Sequence, residues 1–124
     1  MKISPSLEDY LETIYILDTR TGEARVTDIA EKMGVAKSSV HVALHNLEDN
    51  GLLIHEKYGA LKLTESGTSA AKKVYKRHVM LKKFFVDILD VEEKTAEHEA
   101  CIIEHILSDE TIEKISKLVK ENGA

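Results

Sequence analysis

The chain has 124 residues and a formal net charge of −5, with 31% charged and 43% hydrophobic residues. That profile excludes simple disorder and fits one compact domain or two small, interlocked ones. No apolar run approaches the roughly 18 residues that cross a bilayer, and MKISPSLEDYLE contains no signal-peptide core, so a cytoplasmic protein off the membrane is expected. The single cysteine, Cys101, cannot form an internal disulfide and stands as a candidate ligand or nucleophile.

Charge is segregated along the chain: −3 over residues 1–24, 0 over 25–62, +4 over 63–89 and −6 over 90–124. Ser4-Pro5 opens a first helix, in which Leu7, Leu11, Ile14 and Leu17 recur at the spacing of one buried face. Thr21-Gly22 ends it. Thr27-Asp28 starts a short second helix that Gly34 stops. Ala36-Lys37-Ser38-Ser39 is the polar start of a third, with Val40, Leu44 and Leu47 as its apolar stripe and Asn50-Gly51 as its close. Two short helices joined by a tight turn are what a helix-turn-helix requires.

Residues 52–56 and 60–63, linked by Lys57-Tyr58-Gly59, predict a small β-hairpin. A helix-turn-helix followed by a hairpin is the winged-helix arrangement. Thr64-Glu65-Ser66-Gly67 then caps a long helix to about Leu89, and two further helices are predicted at about 92–107 and 109–121, the last capped by Ser108. The expected fold is therefore mainly α with a small β-hairpin. A winged helix-turn-helix domain is expected over residues 1–71 and a helical domain over 72–124.

The strongest polar constellation spans three of these helices. Asp9 and Glu12, at i and i+3, share a side of the first helix away from the Leu7/Leu11/Ile14 stripe. Cys101, Glu104 and His105, at i, i+3 and i+4, project together from the fifth, with Ile102, Ile103, Ile106 and Leu107 on the other side. His98 lies at the edge of that polar side, and His78 follows Arg77 in the long helix. Carboxylate, thiolate and imidazole at helical spacing suit Mn, Fe, Co or Zn better than Mg or Ca. Taken singly, the alternative is that Asp9 and Glu12 are solvated charges and Cys101 a buried small hydrophobe.

These residues carry a family resemblance. The chain is similar to the metal-dependent transcriptional repressors related to the diphtheria toxin repressor and the manganese transport regulator. The likeness runs through SLEDYLETIY at 6–15, VTDIA at 26–30, SSV at 38–40, LKLTESG at 61–67, Arg77-His78 and EACIIEHILS at 99–108. It implies a homodimeric, metal-responsive DNA-binding repressor of metal-uptake genes, with residues 1–71 binding operator DNA and 72–124 carrying dimerisation and metal binding. It implies metal ligands at Asp9, Glu12, His78, Cys101, Glu104 and His105. Asp9 and Glu12 resemble the manganese-sensing branch, and Cys101 the iron-sensing one. Mn(II) or Fe(II) is thus expected as activator, with Zn(II) and Co(II) as further candidates. Lys82 stands where the iron branch's ancillary site has an acid, and Glu97 where it has a His.

In the winged helix so implied, Lys37, Ser38, Ser39 and His41 face a major groove, and Lys57, Tyr58 and Lys62 in the wing face backbone phosphates. The zero net charge of 25–62 argues that specific binding rests on geometry, dimerisation and a switch. Two rival readings remain. A metal-independent winged-helix regulator would sense an organic ligand or partner protein. A thiol enzyme would pair Cys101 with His105, but no Gly-rich turn or oxyanion motif flanks the cysteine, so no enzyme is expected.

Overall fold

Ser4 opens α1 (Pro5–Thr21) as its sequence predicts: its hydroxyl accepts from the Leu7 N–H at 3.2 Å, and Pro5 takes the first turn. The structure, a computed structural model, describes residues 3–56 and 60–122. Gly22, with φ 78°, ends α1 in the left-handed region. α2 (Val26–Met33) follows, then Gly34 at φ 67°, then α3 (Lys37–Asp49). The expected start of α2 at Thr27 moves to Val26, because Arg25, not a side-chain cap, takes the N-cap position.

β1 (Leu53–His55) and β2 (Leu61–Leu63) pair antiparallel, with Leu53 opposite Leu63 and His55 opposite Leu61. The hairpin is thus formed where the sequence places it. Ala24 adds a bridge to Leu61 that the sequence does not announce. The tip of the wing, with Lys57 and Tyr58, lies outside the described residues.

α4 (Glu65–Lys83) begins tight against β1. Thr64 donates its hydroxyl to the Gly51 carbonyl at 2.7 Å and accepts from the Gly67 N–H at 3.0 Å. A Cβ on Gly67 would collide with the Leu52 carbonyl, so glycine is needed there for close approach rather than for a turn. α4 stops at Lys83, short of the expected Leu89. Phe84–Ile88 continues as a π turn, and Asp90 at φ 56° turns the chain. α5 (Glu93–Ile103) and α6 (Asp109–Asn122) complete the fold. Ser108 caps α6 by accepting from the Thr111 N–H at 3.2 Å.

The chain forms two compact units, residues 1–72 and 73–124, with the boundary inside α4. In the first, Leu11, Ile14, Ile29, Val40, Leu44, Leu47, Leu52, Leu53 and Leu61 form one apolar core with Ala71. Each such side chain contributes about 1.5–3 kcal/mol when fully buried. In the second, Val74, Leu81, Ala96 and Ala100 are buried. Among the described residues, no helix is long and apolar enough to cross a membrane.

Candidate metal centre and nucleic-acid interface

In the second unit the donors gather where α4 meets α5. His78 and Lys82 are one turn apart on α4, while Glu93, Glu97 and Cys101 are successive turns apart on α5, so two rows of side chains face each other. His78 Nε2 lies 2.9 Å from Glu97 Oε1, and its Nδ1 lies 3.1 Å from Glu104 Oε2 and 3.7 Å from Cys101 Sγ. His105 Nε2 is 3.3 Å from Glu104 Oε1. The Glu104 side chain is fully buried, and those of His78 and His105 are 11% and 5% exposed.

The electrostatics follow from this crowding. The Cys101 sulfur, then the Glu104 carboxylate, push the His78 pKa up to about 11, outweighing the burial that lowers it. Without an ion, His78 is thus an imidazolium held among anionic groups. Burial pushes the Glu97 carboxyl up, but Lys82 and His78 outweigh it and hold the pKa below the ordinary carboxylate value. Glu97 raises the Lys82 ammonium in turn.

The donor set fits a divalent transition metal. His78, Glu97 and Cys101 each offer one ligand atom, all within 4.8 Å of one another, and combine nitrogen, oxygen and sulfur. Cys101 is exposed, which overturns its alternative reading as a buried small hydrophobe. α5 also ends at Ile103 rather than near 107, so Glu104 caps the helix and His105 lies in the turn beyond it. Ile102 and Ile106, expected on an apolar side, are 53% and 72% exposed.

Of the sequence-predicted ligands, the second unit brings His78, Cys101, Glu104 and His105 together. Asp9 and Glu12 belong to α1 in the first unit, where Glu12 is only 8% exposed and Asp9 half-buried, so neither is a simply solvated charge. His98 is exposed on α5. The sequence marks Glu97 and Lys82 only as departures from the iron branch's ancillary site, and does not mark Arg77 as a contributor at all. Glu97 pairs with His78, and Lys82 with Glu97. Arg77 donates to the Glu104 carbonyl at 3.2 Å and to Asp109, tying the end of α5 to the start of α6. The signal for the first two was the matching four-residue spacing on α4 and α5. For Arg77 the sequence held none.

In the first unit, Lys37, Ser38, Ser39 and His41 are exposed at the start of α3. Ala36 at its N-cap makes no side-chain hydrogen bond. Lys62 on β2 is exposed and lies 3.5 Å from Glu56.

Comparison with known proteins settles the family. Residues 2–61 match the model of the iron dependent repressor N-terminal DNA binding domain, and residues 64–122 that of the iron dependent repressor metal binding and dimerisation domain. The chain belongs to the iron-dependent repressor family. The HTH-type transcriptional regulator MntR of Bacillus subtilis is 41% identical over 117 residues, 94% of this chain and 82% of that protein. The MntR of Lysinibacillus sphaericus is 39% identical over the same share of this chain and 84% of its own.

Among solved structures, a manganese-dependent transcriptional repressor in complex with manganese superposes with a TM-score of 0.85 at 30% identity. The match covers 92% of this chain and 52% of that one. The manganese regulator SloR superposes at 0.83 with 29% identity, covering 97% and 55%. The chain thus spans about half the length of these solved regulators. Members of this family are DNA-binding transcriptional repressors and not enzymes, and the winged helix expected from the sequence is the family's DNA-binding fold.

Proposed function

We propose that this family member is a repressor of metal-uptake genes that binds operator DNA as a homodimer and is activated by Mn(II) or Fe(II). The observation that carries the reading is the nitrogen, oxygen and sulfur cluster of His78, Glu104 and Cys101, inside the segment that matches the family's metal binding domain. The proposed ligands are Asp9, Glu12, His78, Cys101, Glu104 and His105. The last four share one cluster, and the family resemblance adds the acid pair of α1. A bound divalent ion supplies positive charge that the buried Glu104 otherwise draws from the His78 imidazolium and from His105. The carboxylates favour Mn(II) or Fe(II), while the thiol also admits Zn(II) and Co(II). Manganese- and zinc-bound relatives support that range.

The chain's own residues do the remaining work. Arg77 holds the Glu104 backbone, which fixes where the buried carboxylate points. In the DNA-binding unit, Lys37, Ser38, Ser39 and His41 reach phosphates or base edges from the first turns of α3, and Lys57, Tyr58 and Lys62 in the wing reach phosphates. Metal and operator binding are then linked, each strengthening the other by the same factor.

The test is fluorescence anisotropy of an operator-like DNA fragment with chelator-stripped protein at fixed salt and without oxygen. Mn(II), Fe(II), Co(II) and Zn(II) are added one at a time, beside a Cys101→Ala/Glu104→Ala variant. Binding that requires metal in the native chain and disappears in the variant is expected. Equal binding with and without metal would instead favour a regulator that senses an organic ligand or a partner protein.

A further inference from the structure

α3 turns one large apolar side chain away from the core. Val40, Ala43, Leu44 and Leu47 are buried in the first unit, whereas Val42 is 64% exposed. At about 100° per residue, Ser38, Val42 and His45 share the ridge of α3 opposite that buried stripe. The other residues around Val42 on the exposed side, Ser38, His41, His45 and Asn46, are all polar. A lone valine among them is too small a patch to seat a protein partner. It is also a weak choice for an exposed helix interior, where a β-branched side chain loses rotamer freedom with nothing to pack against.

The charge along α3 says which half approaches nucleic acid. Lys37 stands in its first turn and Glu48 and Asp49 in its last, so phosphates are drawn to its start and repelled from its end. Val42 lies in the first half of the helix, inside the segment that matches the family's DNA binding domain. A valine side chain neither donates nor accepts a hydrogen bond, so it reads a base edge only by apolar contact. In the major groove the apolar group on a base edge is the C5-methyl of thymine.

We propose that Val42 is a specificity-determining residue that packs on a thymine methyl in each operator half-site. This inference rests on the operator-binding reading above and deepens it by naming a base that the protein selects. Ser38, one turn earlier, and Lys37 set the register through phosphates or base edges, and Val42 adds discrimination without adding charge. The expected discrimination is about fourfold per methyl, the scale of taking one such group out of water.

The experiment uses the full chain with Mn(II), or with Fe(II) in the absence of oxygen, at fixed salt. The native protein first selects a duplex from a random-sequence library. Each thymine of that duplex is then replaced singly by uracil, which removes the methyl and keeps every hydrogen-bonding group. Binding is measured by fluorescence anisotropy. At one thymine per half-site, the replacement is expected to weaken the native protein about fourfold. Val42→Ala, too short to reach the methyl, is expected to bind the thymine duplex about fourfold less tightly and to lose the uracil effect at that position alone. Val42→Ile, which keeps the apolar surface, is expected to retain it. Circular dichroism spectra matched to the native protein would establish that each variant is folded.

A uracil effect that persists unchanged in Val42→Ala would assign the methyl contact to another residue and overturn the proposal. A selected duplex in which no thymine responds to uracil would overturn it as well. Both results leave the repressor reading intact. Selection of no duplex with either metal would sink that reading, and the proposal with it.

Discussion

The buried set of the first unit is mostly leucine, isoleucine and valine, with Glu12 and Thr13 as polar members, whereas that of the second has His78 and Glu104 beside only Val74, Leu81 and two alanines. Both units leave large apolar side chains exposed, Val42 and Ile54 in the first and Val79, Leu89, Ile102, Ile106 and Leu118 in the second. A small domain with a continuous apolar core draws its stability from burial that nothing else need complete. A domain that buries a carboxylate among histidines depends instead on how those charges are paired. The difference separates a unit held mainly by apolar burial from one whose polar centre is open to control by what binds it.

The sharpest way to break this contrast is to remove a core side chain of the first unit. Leu47→Ala is expected to cost about 2–5 kcal/mol by denaturant unfolding, with little change whether or not Mn(II) is present. A loss that Mn(II) fully restores would mean that the first unit leans on the ion as well. In the second unit, Glu104→Ala is expected to weaken Mn(II) binding about 100-fold or more, measured by competition with a chelating dye. Near-native affinity in that variant would remove Glu104 from the ligand set.

Gly67→Ala tests the seam between the hairpin and α4, where the added methyl must push the Leu52 backbone aside. A loss of about 1–3 kcal/mol in thermal unfolding is expected, again independent of metal. A neutral substitution would show that this contact yields easily.

The smallest expected effect is a pH slope. His78 holds its proton from the ordinary 6.5 up to about 11, and a metal ion needs that nitrogen unprotonated. Apparent Mn(II) affinity should therefore rise with pH, about tenfold per unit for each proton released. The metal-free protein should move the other way. Its His78 pairing is fully in force below pH 6.5 and is lost as pH rises toward about 11, so its melting temperature should fall over that window relative to His78→Gln. Mn(II) affinity that is flat between pH 6 and 8 would show that His78 is not displaced.

Much of this molecule was legible in the sequence because its signals are local. The α1 cap at Ser4, the turn at Gly34 and the hairpin strands all follow from residue types at fixed spacing. So does the closeness of Cys101 and Glu104 at the end of α5, although His105 lies in the turn beyond the helix and not on it. What escaped depends on the register between elements. Glu97 becomes a partner of His78 only because α4 and α5 lie with their four-residue rows in phase. Arg77 reaches Asp109 across 32 positions of chain, which no periodicity encodes. The end of α4 was misplaced for a related reason: Phe84–Ile88 keeps a helical pattern of residues while its backbone widens into a π turn.

The N-terminus of α3 sets stability against binding. Ala36 leaves that helix without a side-chain cap, although serine there would raise stability by roughly 0.5–2 kcal/mol. In the proposed DNA-binding role, the amides of Lys37 and Ser38 in the first turn of α3 can meet a phosphate, whereas those of Ser39 and Val40 already donate to the Ala36 carbonyl; a serine at 36 would compete for the Ser38 amide. Ala36→Ser is thus expected to melt later and bind operator less tightly, a trade of stability against a receptive surface.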